Sequence, residues 1–327
     1  AAAAAAKIAG SIDGYIGTDG ETYAGATAKS LILALALGLN PTDFGGVDLL
    51  ATLDSLEQGS GADAGRFSDR SEYGDYSNIL VQSFAVLGLE GAGVGASQAA
   101  VDYLISAQCD DGGFALNTGG ATCVSDPDAT ALAVQALLVS PCATDASVTA
   151  AIDYLVGRQA GNGGFGGGAT TEGVNANSTG LTGATLATAG LDESAAAAEY
   201  LLTMQYGSGF PEALRGGFAY DAKALAERAA AGADAAVVDQ DRRTTVQAVL
   251  GLTGTSYADL VGALANAPER TCSVHVEPPA PPAPGPIVET DIVATGNDVA
   301  PFALLATLLL LAGGGVVVAT RERGAQQ

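Results

Sequence analysis

The sequence predicts an all-α fold of helical hairpins arranged as two concentric rings, followed by a Pro-rich spacer and one transmembrane helix. Three observations predict it. A phrase of Gln followed by Gly-Gly-Phe recurs along the chain, buried-type and amphipathic helices alternate between its copies, and one long uncharged apolar run closes the sequence.

The repeat is clearest at Tyr103-Leu104, Gln108 and Gly112-Gly113-Phe114. It returns at Tyr154-Leu155, Gln159 and Gly163-Gly164-Phe165, and again at Tyr200-Leu201, Gln205 and Gly216-Gly217-Phe218. A degraded copy has Leu53, Gln58 and Gly65-Arg66-Phe67. A period near 50 residues holds two helices per repeat. One helix of each pair is apolar nearly all round, as in Asp128 to Leu138 with its relatives Asp75 to Phe84 and Gln240 to Leu250, and is expected to be buried on both sides. Thr27 to Leu31 and Asn177 to Leu181 fall at the matching places in the first and fourth repeats. The partner helices, Ser97 to Gln108 and Asp145 to Gln159, carry the 3.6-residue spacing of an outer layer. Glycine lets the connecting loop approach a neighbour closely, and its Phe fills the gap between hairpins. Ala2 to Ile12 and Ser256 to Asn266 are expected to add outer helices, and the Ala-rich run between Tyr220 and Val237 a small helix over the ring's mouth.

The Gln plus Gly-Gly-aromatic repeat resembles that of squalene cyclases, class II terpene cyclases and protein prenyltransferase β-subunits, and the α/α toroid of cobalamin-binding transport proteins. The resemblance spans Leu49 to Leu252 and implies an α/α toroid over residues 1–268. In the cyclase branch an Asp-x-Asp-Asp motif opens an inner helix, and its middle Asp protonates the substrate. Asp126-Pro127-Asp128-Ala129 matches its first and middle acids but has Ala129 for the last, and the chain has no Trp to stabilise carbocations. Asp128 is therefore read first as a helix-capping or first-turn acid, a reading that Asp75 repeats, with acid catalysis by Asp126 and Asp128 as the runner-up. The prenyltransferase zinc set needs an inner-helix His, whereas the single histidine, His275, lies in the tail; no metal or cofactor is expected. Cobalamin carriers add a β domain that has no counterpart here, and thioester relatives need a Cys-Gly-Glu-Gln sequence that is absent.

The inner-helix N-termini should converge on one mouth, bringing together Asp75, Tyr76, Asp126, Asp128, Asn177, Arg242 and Arg243 as ligand-binding candidates. The expected ligand is a small hydrophobic molecule or an extracellular protein.

The C-terminal segment has a different plan. Residues 269–291 form a Cys-containing, Pro-rich spacer whose core, Glu277 to Pro286, should be extended because each proline fixes φ. Residues 299–320 carry no charge and are long enough for a membrane helix, with Arg321 and Arg323 after it. Together with Ile292-Val293-Ala294-Thr295-Gly296 before it, this layout (residues 292–327) resembles a Gram-positive cell-wall sorting signal, although Ile292-Val293 replace the family's Leu-Pro or Leu-Ala. It implies a sortase-type transpeptidase as partner, with Thr295 carrying the wall linkage. The N-terminus lacks Met and is read as already processed by a signal peptidase, which places the domain outside the cell.

Export makes the four cysteines disulfide partners, expected as Cys109 with Cys123 and Cys142 with Cys272. Lys+Arg 13 against Asp+Glu 36, a net charge of −23, argues against nucleic acid, which needs clustered bases to displace counterions. The whole is expected to be a cell-surface binding or display protein, with a terpene cyclase-like enzyme or a cobalamin-type binder as alternatives.

Overall fold

The computed structural model describes residues 2–266. Fourteen α-helices follow one another: α1 (Ala2–Ala9), α2 (Ile12–Ile16), α3 (Ala24–Ala36), α4 (Leu49–Asp54), α5 (Ile79–Gly91), α6 (Gln98–Ser106), α7 (Pro127–Val139), α8 (Asp145–Val156), α9 (Ala176–Thr188), α10 (Glu193–Met204), α11 (Ala222–Ala231), α12 (Asp239–Thr253), α13 (Tyr257–Leu260) and α14 (Ala263–Asn266). Beside them stand one 3-10 turn (Gly232–Asp234) and isolated β-bridges, so the described residues are mostly helical and without strands. The sorting-like pentapeptide, the expected span over 299–320 and Cys272 all lie outside the described residues. Among the described residues no helix is long and apolar enough to cross a membrane.

Helices α3, α5, α7, α9 and α12 pack side by side in chain order and form the inner layer, with α4, α6, α8 and α10 outside it. Burial explains the division. Every residue of α5, α7 and α9 is buried or partly buried, including polar Gln82, Thr130, Gln135, Thr179 and Thr185. The outer helices bury one stripe each, such as Ala100, Val101, Tyr103 and Leu104 on α6.

Each repeat phrase has a mechanical meaning. Phe67, Phe114, Phe165 and Phe218 are fully buried, as the loop reading expects. Their backbone N–H groups donate to a side chain within the first two turns of the following inner helix: Gln82 Oε1 at 3.0 Å, Thr130 Oγ1 at 2.8 Å, Thr179 Oγ1 at 2.8 Å and Thr245 Oγ1 at 3.0 Å. Gln108 Nε2 donates to Gly112 O (2.9 Å) and to Ser147 O on the next outer helix (2.8 Å). Gln159 does the same with Gly163 O (3.0 Å) and Glu193 O (2.9 Å). In the degraded first copy this work falls to Gln82, which donates to Gly65 O and Ala100 O, and not to Gln58. A Cβ on Gly65, Gly112 or Gly163 would fall on the carbonyl oxygen of Ala99, Ala150 or Ala196, so only glycine lets loop and outer helix meet.

The segment after α12 departs from the sequence reading. Residues 256–266 add no outer helix. Instead α13 turns back against α3, α5 and α7 near their C-terminal ends. Tyr257 N donates to Gln135 Oε1 at 2.9 Å, the Tyr257 ring packs edge-on against Phe84 at 5.2 Å, and Thr188 Oγ1 donates to Asp259 Oδ2 at 3.3 Å. The physical reason is composition: Tyr257, Ala258, Val261 and Ala263 are apolar on successive turns and bury fully there. The Ala-rich run does form a helix, α11, capped by Asp221 and tied to α12 through Arg228–Asp241.

The disulfide Cys109–Cys123 forms across the excursion before α7, with Cα atoms 5.5 Å apart. Cys142 is disulfide-bonded as well, and its expected partner, Cys272, lies outside the described residues.

Candidate functional site

The N-cap positions set the register among inner helices. Asn78, Asp126 and Asn175 each accept a backbone N–H in the first turn of α5, α7 and α9, and Asp241 stands four residues before Thr245 just as Asp126 stands four before Thr130. In that register Asp128, Asn177 and Arg243 are equivalent. Asp75 is not; it lies three residues before the α5 cap. The sequence match of Val81-Gln82 with Val134-Gln135 is therefore five residues out of step, because both inner helices are Ala- and Leu-rich and similar phrases recur on different turns.

Asp75 and Tyr76 belong to a loop. Asp75 Oδ1 accepts from Asp69 N (3.0 Å) and Ser77 N (2.9 Å), and Oδ2 pairs with Arg66 at 2.9 Å; burial pushes its carboxyl up, but these backbone N–H groups, the Ser77 hydroxyl and the Arg66 charge together hold it below the usual range. Asp69 joins α3 to the same loop, accepting from Ala24 N (2.8 Å) and Tyr76 N (3.1 Å). The rings of Tyr73 and Tyr76 point out, 73% and 75% exposed. Arg242 is exposed, and Arg243 is engaged with Asp239 at 3.0 Å along its own helix.

Asp126 and Asp128 lie elsewhere, between α7 and α9. Asp126 Oδ1 caps α7 by accepting from Ala129 N at 2.9 Å. Asp128, two residues on, turns inward: its Oδ2 accepts from Ser178 Oγ at 3.2 Å, and its Oδ1 is buried without a partner. The loop from the next repeat roofs both acids. A Cβ on Gly167 would fall on Asp128 Oδ2 and Thr171 Oγ1, and one on Gly168 on Asp126 Oδ2. Burial raises the Asp128 carboxyl to about 7; the neighbouring Asp126 adds to this and the Ser178 hydroxyl opposes it. Burial also raises Asp126, against the backbone N–H groups of Ala129 and Asp128. Tyr220, whose carbonyl accepts from Ala176 N at 2.7 Å, is raised by burial and then by Asp128.

Asn177 sits beside Ser178 and has a buried, unpartnered Oδ1. Thus, of the seven mouth residues, the structure groups Asp126 and Asp128, puts Asn177 on the adjoining turn, and leaves Asp75 with Tyr76 and Arg242 with Arg243 in two other places. Ser178, Thr171 and the Gly166-Gly167-Gly168 loop were missed by sequence reasoning. The triple glycine was the available signal. Among the described residues no group of three or more His, Cys, Asp or Glu stands together as a metal set.

No protein-family model and no curated protein sequence matches the chain. Among solved structures, it is similar to Candida albicans protein geranylgeranyltransferase-I complexed with GGPP, at 15% identity and a TM-score of 0.46, over 74% of this chain and 69% of that one. It is also similar to ent-copalyl diphosphate synthase from Streptomyces platensis, at 16% identity and a TM-score of 0.42, over 74% of this chain and 49% of the synthase. The chain thus spans about half the length of the second protein. The neighbours are prenyltransferase and terpene cyclase folds, and neither likeness assigns a residue a role.

Proposed function

We propose that the chain is a surface-anchored binding module whose partner is an extracellular protein, held at the membrane through residues 299–320 and offered to a sortase-type transpeptidase at Thr295. What supports the non-enzymatic part of this reading is the close packing of the inner layer. No residue of α5, α7 or α9 is exposed, and α13 occupies the far end with Tyr257 against Phe84. A polyprenyl chain needs an apolar cavity that admits it. Binding on this reading uses the rim, where Tyr73 and Tyr76 project from a loop pinned by Asp69, Asp75 and Arg66; rigid exposed tyrosines give large contact area at small ordering loss.

Incubating the full chain with squalene and with polyprenyl diphosphates should return the substrates unchanged, and a cyclised product would sink the reading. Thr295→Ala should abolish covalent wall attachment in fractionated cells. A second reading is favoured by one specific fact, the carboxyl of Asp128 raised to about 7, which keeps a proton near neutrality as an alkene-protonating acid must. On that reading a cyclised product appears and Asp128→Asn abolishes it.

A further inference from the structure

Two loops meet at the rim beside the start of α3. Thr22 and Arg70 exchange backbone hydrogen bonds of 2.8 Å each, which fasten the turn before α3 to the loop before α5. Tyr73 and Tyr76 project from the second loop, whereas the other aromatic rings among the described residues are buried or partly buried. The loop holds both in place. Tyr73 N donates to Ser71 Oγ at 3.1 Å, and the Tyr76 hydroxyl donates to Tyr73 O at 3.1 Å. The charges around them have one sign: the Tyr73 hydroxyl is pushed up chiefly by Glu72, then by Glu21 and Asp19. Glu21 also accepts from the Tyr23 hydroxyl, and its other oxygen is buried without a partner. The two arginines of the loop are engaged elsewhere, Arg66 with Asp75 at 2.9 Å and Arg70 with Ser55 O at 2.9 Å.

The chain itself contains the completed form of such a surface. The Arg158 guanidinium lies 4.7 Å from the centre of the Tyr154 ring and 3.7 Å from Asp111 Oδ2, so one arginine serves an aromatic face and a carboxylate together. The rim has the tyrosine faces and the carboxylates without the arginine. We propose that Tyr73 and Tyr76, with Asp19, Glu21 and Glu72 around them, take an arginine-rich segment of the extracellular partner protein, its guanidinium groups stacked on the rings and bonded to the carboxylates. This rests on the rim reading above and adds the chemistry of the partner. Arginine suits the surface better than lysine, because its planar and weakly hydrated head both stacks on a ring and donates two parallel N–H bonds to a carboxylate. The net charge of −23 draws a cationic segment to the chain as a whole. The tyrosines decide where it stays.

The test is fluorescence anisotropy of a labelled peptide of alternating glycine and arginine titrated with the full chain, at about 0.15 M salt to screen long-range attraction. The wild type should bind it saturably and more tightly than the lysine peptide, while the citrulline peptide, which keeps the shape without the charge, should not bind. Tyr73→Ala and Tyr76→Ala leave the net charge unchanged and should each weaken binding by about two- to fivefold. Their melting temperatures should match wild type, since both rings are exposed. Glu72→Gln should weaken binding by about threefold, and Glu199→Gln, the same change at an exposed acid on α10, should do less. Absence of saturable binding overturns the proposal. So do equal losses at Glu72 and Glu199 with none at the tyrosines, which would mean general attraction to an acidic chain. Arginine and citrulline peptides that bind equally, both lost in the tyrosine variants, overturn the arginine preference and leave the rim reading standing; that reading fails separately, on a cyclised product from squalene.

Discussion

The second and third copies of the repeat and the last one carry the same words and bear different loads. Gly112 and Gly163 are pressed against the backbone of α8 and α10, whereas a Cβ on Gly216 meets nothing within 4 Å. Gln108 and Gln159 each reach a carbonyl on the next outer helix, while Gln205 reaches only Gly216 O at 3.3 Å. Helix α9 has no exposed residue, but α12 keeps Val246 and Val249 at 43% and 41% exposure. The difference teaches that the motif is a coupling device. Its residues hold a hairpin to its successor, and where the chain turns inward as α13 the same residues have nothing to couple.

That view is broken most readily by alanine at the glycines. Gly163→Ala and Gly112→Ala should each destabilise by about 4 kcal/mol or more, since a positive φ (84° and 87°) and a backbone collision act together. Gly216→Ala, with φ of 82° and open space, should lose only the conformational part, about 1–2 kcal/mol. Denaturant midpoints measure all three, and equal losses would remove the distinction.

Next in size is the disulfide, which also belongs to an internal copy. Replacing Cys109 and Cys123 by serine releases a crosslink across 14 residues and should lower stability by about 3 kcal/mol. Thr130→Val follows. It leaves the buried Phe114 N–H without its acceptor, worth about 1–3 kcal/mol, while the same change at Thr245 in the last copy should fall at the low end because its neighbourhood is partly open.

The sequence made the internal copies legible because coupling needs fixed chemistry: glycine at the collision point, Phe in the gap, Gln spanning to the next helix. The Cys109–Cys123 pairing was readable for the same reason, both residues lying on one excursion. The last segment was not. Residues 256–266 carry the apolar pattern of an outer helix, and only the vacancy at the C-terminal ends of α3, α5 and α7 makes the centre the better place to bury Tyr257 and Val261. The site was half legible. Asp128 was recognisable as a first-turn acid, while the cap itself is Asp126, and the inward turn of Asp128 depends on Ser178 and on a glycine roof from the following repeat, neither of which a motif centred on α7 contains. Asp75 was drawn into the mouth by a phrase five residues out of step.

Asp128 itself sharpens the comparison, because its counterpart on α12 is Arg243, an exposed residue paired along its own helix. The folded carboxyl, raised to about 7, holds its proton where the unfolded one, near 3.8, has lost it. Between those values the native state binds more protons than the unfolded state, so this residue's contribution favours folding at low pH and is lost progressively as pH rises toward 7. Asp128→Asn should therefore gain stability relative to wild type across that window, and the gap should widen with pH. A constant difference between the two proteins from pH 4 to 7.5 would contradict the buried carboxyl. Arg243→Gln should give no such pH-dependent difference.

The smallest effect is expected at Gln205. Gln108→Ala deletes two hydrogen bonds at 2.9 and 2.8 Å that join a loop to α8, and should cost about 2 kcal/mol. Gln205→Ala deletes one contact at 3.3 Å on an exposed face, with no successor helix, and should stay within about 0.5 kcal/mol of wild type. The pair isolates coupling from local loop closure, since both glutamines bond the first glycine of their own motif and only Gln108 also bonds the neighbour. If both substitutions are equally mild, the glutamine serves its own turn and the link between hairpins rests on the glycine contacts alone.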